Sequence, residues 1–194
     1  MKRRPFLAAL GCAVLLTWMR PVQSGGTFEV EQAGLEVSQP EGQVLLSAEF
    51  MLSLTETLRD AVNRGLPLYF LTELQILRGR WYWFDQTLVA TQLEWRLSYH
   101  ALTRQFRVAS SGSSESHASL EDALAAMSSV KRWTVAPLTK FEPRTAYQVW
   151  VRMRLDTTRL PKPFQMTALT DSDWNPQSEW KRFDFTVPTP TGAP

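Results

Sequence analysis

Residues 53–85 read SLTETLRDAVNRGLPLYFLTELQILRGRWYWFD, and the change of period within them decides the fold. Ser53 and Glu56 stand in the S-x-x-E spacing, in which a hydroxyl and a carboxylate reciprocally satisfy free amides of a helix start. This predicts a helix from Leu54. Leu54, Leu58, Ala61 and Val62 then fall at i, i+4, i+7 and i+8, one apolar face on a 3.6-residue period. Gly65 suits a left-handed cap and Pro67 forbids continuation, so the helix ends there. From Leu68 the period becomes two. Leu68, Phe70, Leu74 and Ile76 share one face, Tyr69, Leu71 and Leu77 the other, which predicts a strand buried on most of both faces. A capped helix feeding a long central strand is how the domain is organised, and it contains no reactive constellation.

Outward from this unit, further strands can be read. Phe28, Val30, Leu35 and Val37 alternate with acidic residues but are broken at Ala33-Gly34, which predicts a bulged strand or two short ones. Val44, Leu46, Ala48 and Phe50 give a second strand. Val89 to Tyr99 alternates with Ala90 to His100 in a half-buried strand, and residues 102–104 turn a hairpin into Gln105–Ala109. The serine-rich stretch 110–114 reads as a flexible loop. Ser119 and Asp122 repeat the capping spacing before a short amphipathic helix carrying Leu120, Leu124 and Met127. Trp133 and Val135 suggest a brief strand. Tyr147, Val149, Val151, Met153 and Leu155 oppose Gln148, Trp150, Arg152, Arg154 and Asp156 in another strand, and Phe164 to Leu169 suggests a helical turn. Phe183, Phe185 and Val187 face away from Trp180, Arg182 and Asp184 in the last. Seven or eight strands with short turns and two short helices in the connections predict a mainly all-β protein. The expected architecture is an antiparallel β-sandwich, immunoglobulin-like, with an open barrel as the alternative.

The 194 residues suit one domain plus an export signal. Met1-Lys2-Arg3-Arg4 is a basic start, Phe6 to Trp18 an apolar run, and Val22-Gln23-Ser24 a small-residue cleavage site before Gly25. Thirteen apolar residues fall short of the roughly 20 that a spanning helix needs, so cleavage is expected over a retained anchor. Ala9-Leu10-Gly11-Cys12 resembles a lipobox, but the apolar run continues past it. The expected organisation is therefore a signal over 1–24, one sandwich domain over 25–187 and a disordered tail over 188–194. Without the signal, 17 basic residues face 19 acidic ones. No basic run remains to track a phosphate backbone, which argues against nucleic acid. The sole cysteine, Cys12, is lost with the signal, so the mature core has no disulfide to rely on.

Chemistry-bearing groups do not converge in the sequence. His100 and His117 lie far from any ligand spacing for a metal. Asp171, Asp173, Asn175 and Glu179 begin a calcium-loop pattern that fails at Pro176 and Arg182, where Gly and Glu belong, so a turn is expected. No G-x-S-x-G nucleophile elbow appears. Glu94, Arg96, Arg152 and Arg154 would form a charge ladder if their strands were neighbours, either a solvated face or, less expected, a carboxylate clamp. No cofactor is implied. What stands out is Arg78 and Arg80 before Trp81-Tyr82-Trp83-Phe84. Alternating faces force two of the four aromatics away from whatever buries the others. They are covered near a sheet edge or form an exposed lip for a protein, a glycan or a membrane interface.

The order S-L-T-E-T-L-R-D-A-V-N-R-G-L-P-L-Y-F followed by R-W-Y-W-F-D resembles an exported bacterial family known as domain of unknown function 4390. The resemblance is closest from Leu52 to Asp85 and continues through Leu93 to Phe106 and Tyr147 to Leu155, ending near Asp173-Trp174. It implies an exported protein, often encoded beside a membrane sensor histidine kinase of the nitrogen-regulatory type. It supplies no catalytic residues.

The expected function is a non-enzymatic, periplasmic binding or adaptor domain whose partner is an envelope protein, with the kinase's outer domain as candidate. Contact with a membrane would come only through a retained signal or the aromatic lip. The alternative is a carrier of a small apolar or lipid ligand between the sheets.

Overall fold

A computed structural model describes residues 26–79 and 86–188. The expected signal, Arg80 with the aromatic run Trp81 to Phe84, and the tail beyond residue 188 lie outside the described residues. The protein is an all-β antiparallel sandwich. Strands β1 (Phe28–Ser38), β2 (Gln43–Leu52) and β7 (Ser129–Pro137) form a three-stranded sheet in the order β1-β2-β7. The six-stranded sheet has the order β6-β5-β4-β3-β8-β9, from β3 (Leu68–Arg78), β4 (Gln86–His100), β5 (Gln105–Ser110), β6 (Ser113–His117), β8 (Ala146–Leu155) and β9 (Lys181–Thr186). Helices α1 (Glu56–Asn63) and α2 (Leu120–Ser128) carry the chain between sheets, and α3 (Lys162–Ala168) lies between β8 and β9.

The central strand behaves as its period predicts. Leu68, Phe70, Leu74 and Ile76 are buried in the core between the sheets, while Leu71 and Leu77 are buried on the opposite face. Phe28 of β1 meets Phe70 across the sandwich, ring centroids 5.8 Å apart. Val149, Val151, Met153 and Leu155 of β8 complete the floor, fully buried. Filling this space with branched and aromatic side chains is the dominant favourable term of folding. No disulfide is needed to close the layers.

β1 settles the choice left open by its broken pattern. It is one strand with a bulge, because the register slips between Val30 and Gln32. One extra residue exchanges the faces of everything after it. The inward set is therefore Phe28 and Val30 before the slip, then Ala33, Leu35 and Val37.

Helix α1 starts later than the capping box predicts. Its N-cap is Thr55, whose side chain accepts from Leu58 N at 3.2 Å, while Ser53 is exposed. The Thr55 hydroxyl also donates to Asp173 O at 2.9 Å, a partner 118 residues away. A buried hydroxyl with two partners outweighs an exposed one that has only a local role. The helix end follows expectation. Gly65 adopts φ +91°, with Gly65 N donating to Val62 O and Leu66 N to Ala61 O, the paired bonds of a Schellman cap. Ser119 caps α2 through Asp122 N, as its spacing predicts.

The serine-rich stretch 110–114 is not a loose loop. Ser111 and Gly112 both take positive φ, 43° and 85°, and turn a hairpin in which Ser110 pairs Ser113 and Phe106 pairs His117. Two consecutive left-handed residues give the tight turn whose twist matches that of its strands.

Candidate functional site

The two features with the most recognition chemistry lie on opposite faces of the six-stranded sheet. The first is the outer face, away from the core. Side chains at alternate positions of β3, β4, β8 and β9 point there, and register brings them into rows: Tyr69 with Arg96, Glu73 with Gln92 and Arg152, Gln75 with Trp150, and Trp150 with Arg182. Arg182 lies 4.1 Å above the Trp150 ring, Trp150 and Trp180 are 6.1 Å apart, and Arg152 lies 4.3 Å over Trp180. Arg152 Nε then donates to Glu73 Oε2 at 2.6 Å, and Arg154 Nε to Glu73 Oε1 at 2.8 Å. On the β4 side, Arg159 forks onto both oxygens of Glu94 and sits 4.8 Å over Tyr69, which also receives Arg96 at 5.9 Å.

This row answers the ladder that the sequence left conditional. β3 stands between β4 and β8, so the two strands are not neighbours. Glu73 of β3 takes both β8 arginines, and Glu94 turns instead to Arg159. Arg96 and Arg182 have only aromatic faces as partners, with no carboxylate within ion-pair distance among the described residues. A guanidinium over an indole is held by the ring's quadrupole while its edge N–H groups stay available. The sequence alone does not mark Trp180, Tyr69 and Glu73 for this role, since only the strand register brings them to Trp150 and Arg152.

Of the sequence-predicted surface, Arg78 is described and the rest is not. Arg78 is half-buried and forks onto Glu142, both N–O distances 2.6 Å. The hydrogen bonds it donates to Glu142, and secondarily the charge of that carboxylate, raise the guanidinium above its ordinary value. Arg78 is thus committed to the turn before β8. Arg80, Trp81, Tyr82, Trp83 and Phe84 lie outside the described residues.

The second feature is a cleft on the inner side, where the sandwich opens between β7 and the β5–β6 hairpin. Its volume is about 340 Å³. Trp95 and Trp133 line it with Leu93, Val108 and Val130, and serine hydroxyls, Glu115 and Lys131 stand at its mouth. A bulge on β7 puts Lys131 and Arg132 opposite Ser47, with Arg132 at φ +50°, and Trp133 follows directly. Bulges re-aim side chains in this way.

Of the remaining candidates, Asp171 and His100 have local structural roles. Asp171 accepts from Asp173 N at 2.9 Å and caps a short 3-10 turn, the Asx turn expected where the calcium pattern fails. His100 pairs with Thr103, whereas His117 Nε2 is buried with no hydrogen-bond partner, 3.9 Å from Glu115 on β6. Among the described residues no group of three or more His, Cys, Asp or Glu could hold a metal, and no helix is long and apolar enough to cross a membrane. α3 and the Leu169 that follows it expose Phe164, Met166 and Leu169 beside a groove of about 620 Å³ formed with the α1–β3 turn, and Phe164 stacks on Trp174 at 4.6 Å.

The family model described as "Domain of unknown function (DUF4390)" matches residues 26–184, and the chain belongs to that family. Comparison with curated proteins and with solved structures gives no match.

Proposed function

We propose that this protein is a non-enzymatic binding domain of the bacterial cell envelope that engages an acidic protein partner through the outer face of its six-stranded sheet. The observation that carries this reading is the continuous run Arg182, Trp150, Trp180, Arg152, Glu73, Arg154, with Tyr69, Arg96 and Arg159 beside it. Trp, Tyr and Arg are the residue types that dominate interface energetics. Here their side chains are already held by one another, so binding orders little that was free. Arg96 and Arg182 supply positive charge not neutralised within the sheet. Carboxylates on a partner would complete them, and they would also speed encounter at low salt. The signal-like start of the sequence supports an envelope location.

The outer domain of the sensor kinase suggested by the family resemblance is the first partner to test. Purified mature domain is immobilised and the kinase domain passed over it at rising salt. Binding whose on-rate falls with salt, and that weakens at least tenfold in the Trp150→Ala and Arg182→Ala variants but not in Arg132→Ala on the other sheet, supports the reading. Equal binding by all three variants removes the sheet face from it. Loss on Trp81→Ala with Trp83→Ala alone would transfer the role to the aromatic run.

A further inference from the structure

We propose that the lateral cleft between β7 and the β5–β6 hairpin is a carbohydrate subsite that takes one sugar ring of a glycan. The inference is independent of the outer face. It rests on what the cleft offers, atom by atom.

Trp95 donates its only polar hydrogen to Thr72 Oγ1 at 3.1 Å, so it presents the cleft with ring surface alone. Trp133 adds a second indole, half-buried against the core. Three of the four serine hydroxyls are equally committed: Ser110 Oγ donates to Glu94 O at 2.9 Å, Ser113 Oγ to Ser110 O at 2.9 Å and Ser129 Oγ to Glu49 Oε1 at 2.8 Å. Their hydrogens are used, which leaves these three as acceptors, while Ser111 can donate or accept. Glu115 adds a carboxylate, which is acceptor only. The cleft therefore combines flat apolar walls with a mouth made mostly of acceptors, with Lys131 and the Ser111 hydroxyl as its donors.

The matching ligand has an apolar flat face bordered by hydrogen-bond donors. A pyranose fits, since its axial C–H groups form the face and its equatorial hydroxyls the border. The volume, about 340 Å³, is at the small end of ligand sites and suits a single ring with the rest of the chain in solvent. A fatty acyl chain fits poorly, because it has no donors to offer the acceptors and leaves them desolvated without partners. The geometry is also preformed: the β7 bulge and the tight 110–113 turn fix both walls.

The test titrates mature protein with maltotriose, cellotriose and chitotriose, and separately with laurate and phenethylamine, reading tryptophan fluorescence and amide chemical shifts. Saturable binding of at least one trisaccharide is expected, with shifts at Ser110, Ser113 and Ser129. Trp133→Ala should weaken it at least tenfold, Glu115→Gln threefold or more, and Trp150→Ala on the outer face not at all. Glu115 is exposed on an edge strand, so its variant keeps the test valid should Trp133→Ala fail to fold. Absence of saturation by all three sugars overturns the proposal, as does binding that Glu115→Gln leaves intact. Saturation by laurate or phenethylamine alone overturns it in favour of an apolar or cationic ligand.

Discussion

Glu73 and Arg152 face each other across the β3–β8 pair, Nε to Oε2 2.6 Å apart, with only 17% and 25% of their side chains exposed. Arg154 shares the same carboxylate. Glu73→Gln keeps the shape but removes the charge that two half-buried guanidinium groups depend on. Hydrogen bonds to charged groups contribute about 1.5–3 kcal/mol, so a loss of about 1–3 kcal/mol is expected. Urea unfolding should show a lower midpoint at unchanged slope. A change within about 0.3 kcal/mol would mean that the row is an ordinary solvated ladder.

The true start of α1 can be told from the expected one by two substitutions. Thr55→Ala removes the acceptor for Leu58 N and the donor to Asp173 O, and loss of a cap costs about 1–2 kcal/mol. Ser53→Ala, at an exposed position, should stay within about 0.5 kcal/mol. Thermal unfolding of both variants decides, and the reverse order would restore Ser53 as the cap.

Gly26 packs where no side chain fits. A Cβ there would lie 2.5 Å from Ser53 O and 2.6 Å from Thr55 N, both backbone atoms, whereas at Gly34 it would meet nothing within 4 Å. Gly26→Ala should destabilise by about 1–3 kcal/mol through overpacking. Gly34→Ala should be neutral or stabilise by up to about 1 kcal/mol through the unfolded chain. Equal midpoints for the two variants would contradict this packing.

Arg59 Nη1 donates to Glu121 Oε1 at 2.7 Å and ties α1 to α2. The hydrogen bond from Arg59 is the largest cause holding the Glu121 carboxyl below its ordinary value of 4.5, helped by a backbone hydrogen bond. A carboxylate depressed in the folded state adds stability above its unfolded pKa, and this is lost as pH falls through the folded value. Carbonyl NMR titration should find Glu121 among the most acidic of the glutamates. Arg59→Ala should move its midpoint upward, and an unmoved midpoint would break the assignment.

Local grammar was enough for the core. The period-two runs at Leu68, Val89 and Tyr147 and the helix closure at Gly65-Pro67 carry their own burial pattern, because one face of each must leave water. The misreadings share another cause. Thr55 displaced Ser53 through a hydroxyl bond to a residue 118 positions away, which no local spacing encodes. β6, Ser113–His117, is an edge strand with an almost wholly exposed pattern, so it lacks the alternation by which strands are recognised. The outer face was half legible: Trp150, Arg152 and Arg154 could be placed on one side of β8, but the strand between them and Glu94 could not. Trp95 and Trp133 read as two unrelated strand residues until the β7 bulge and the open sheet edge bring them to one cleft.

The fork of Arg78 on Glu142 also governs how a pull on residues 80–85 would enter the domain. Glu142 is anchored in turn, since its amide donates to the Tyr147 hydroxyl at 2.8 Å and Tyr147 is packed edge-on against Phe141. Tension arriving at the end of β3 is thereby divided with β8.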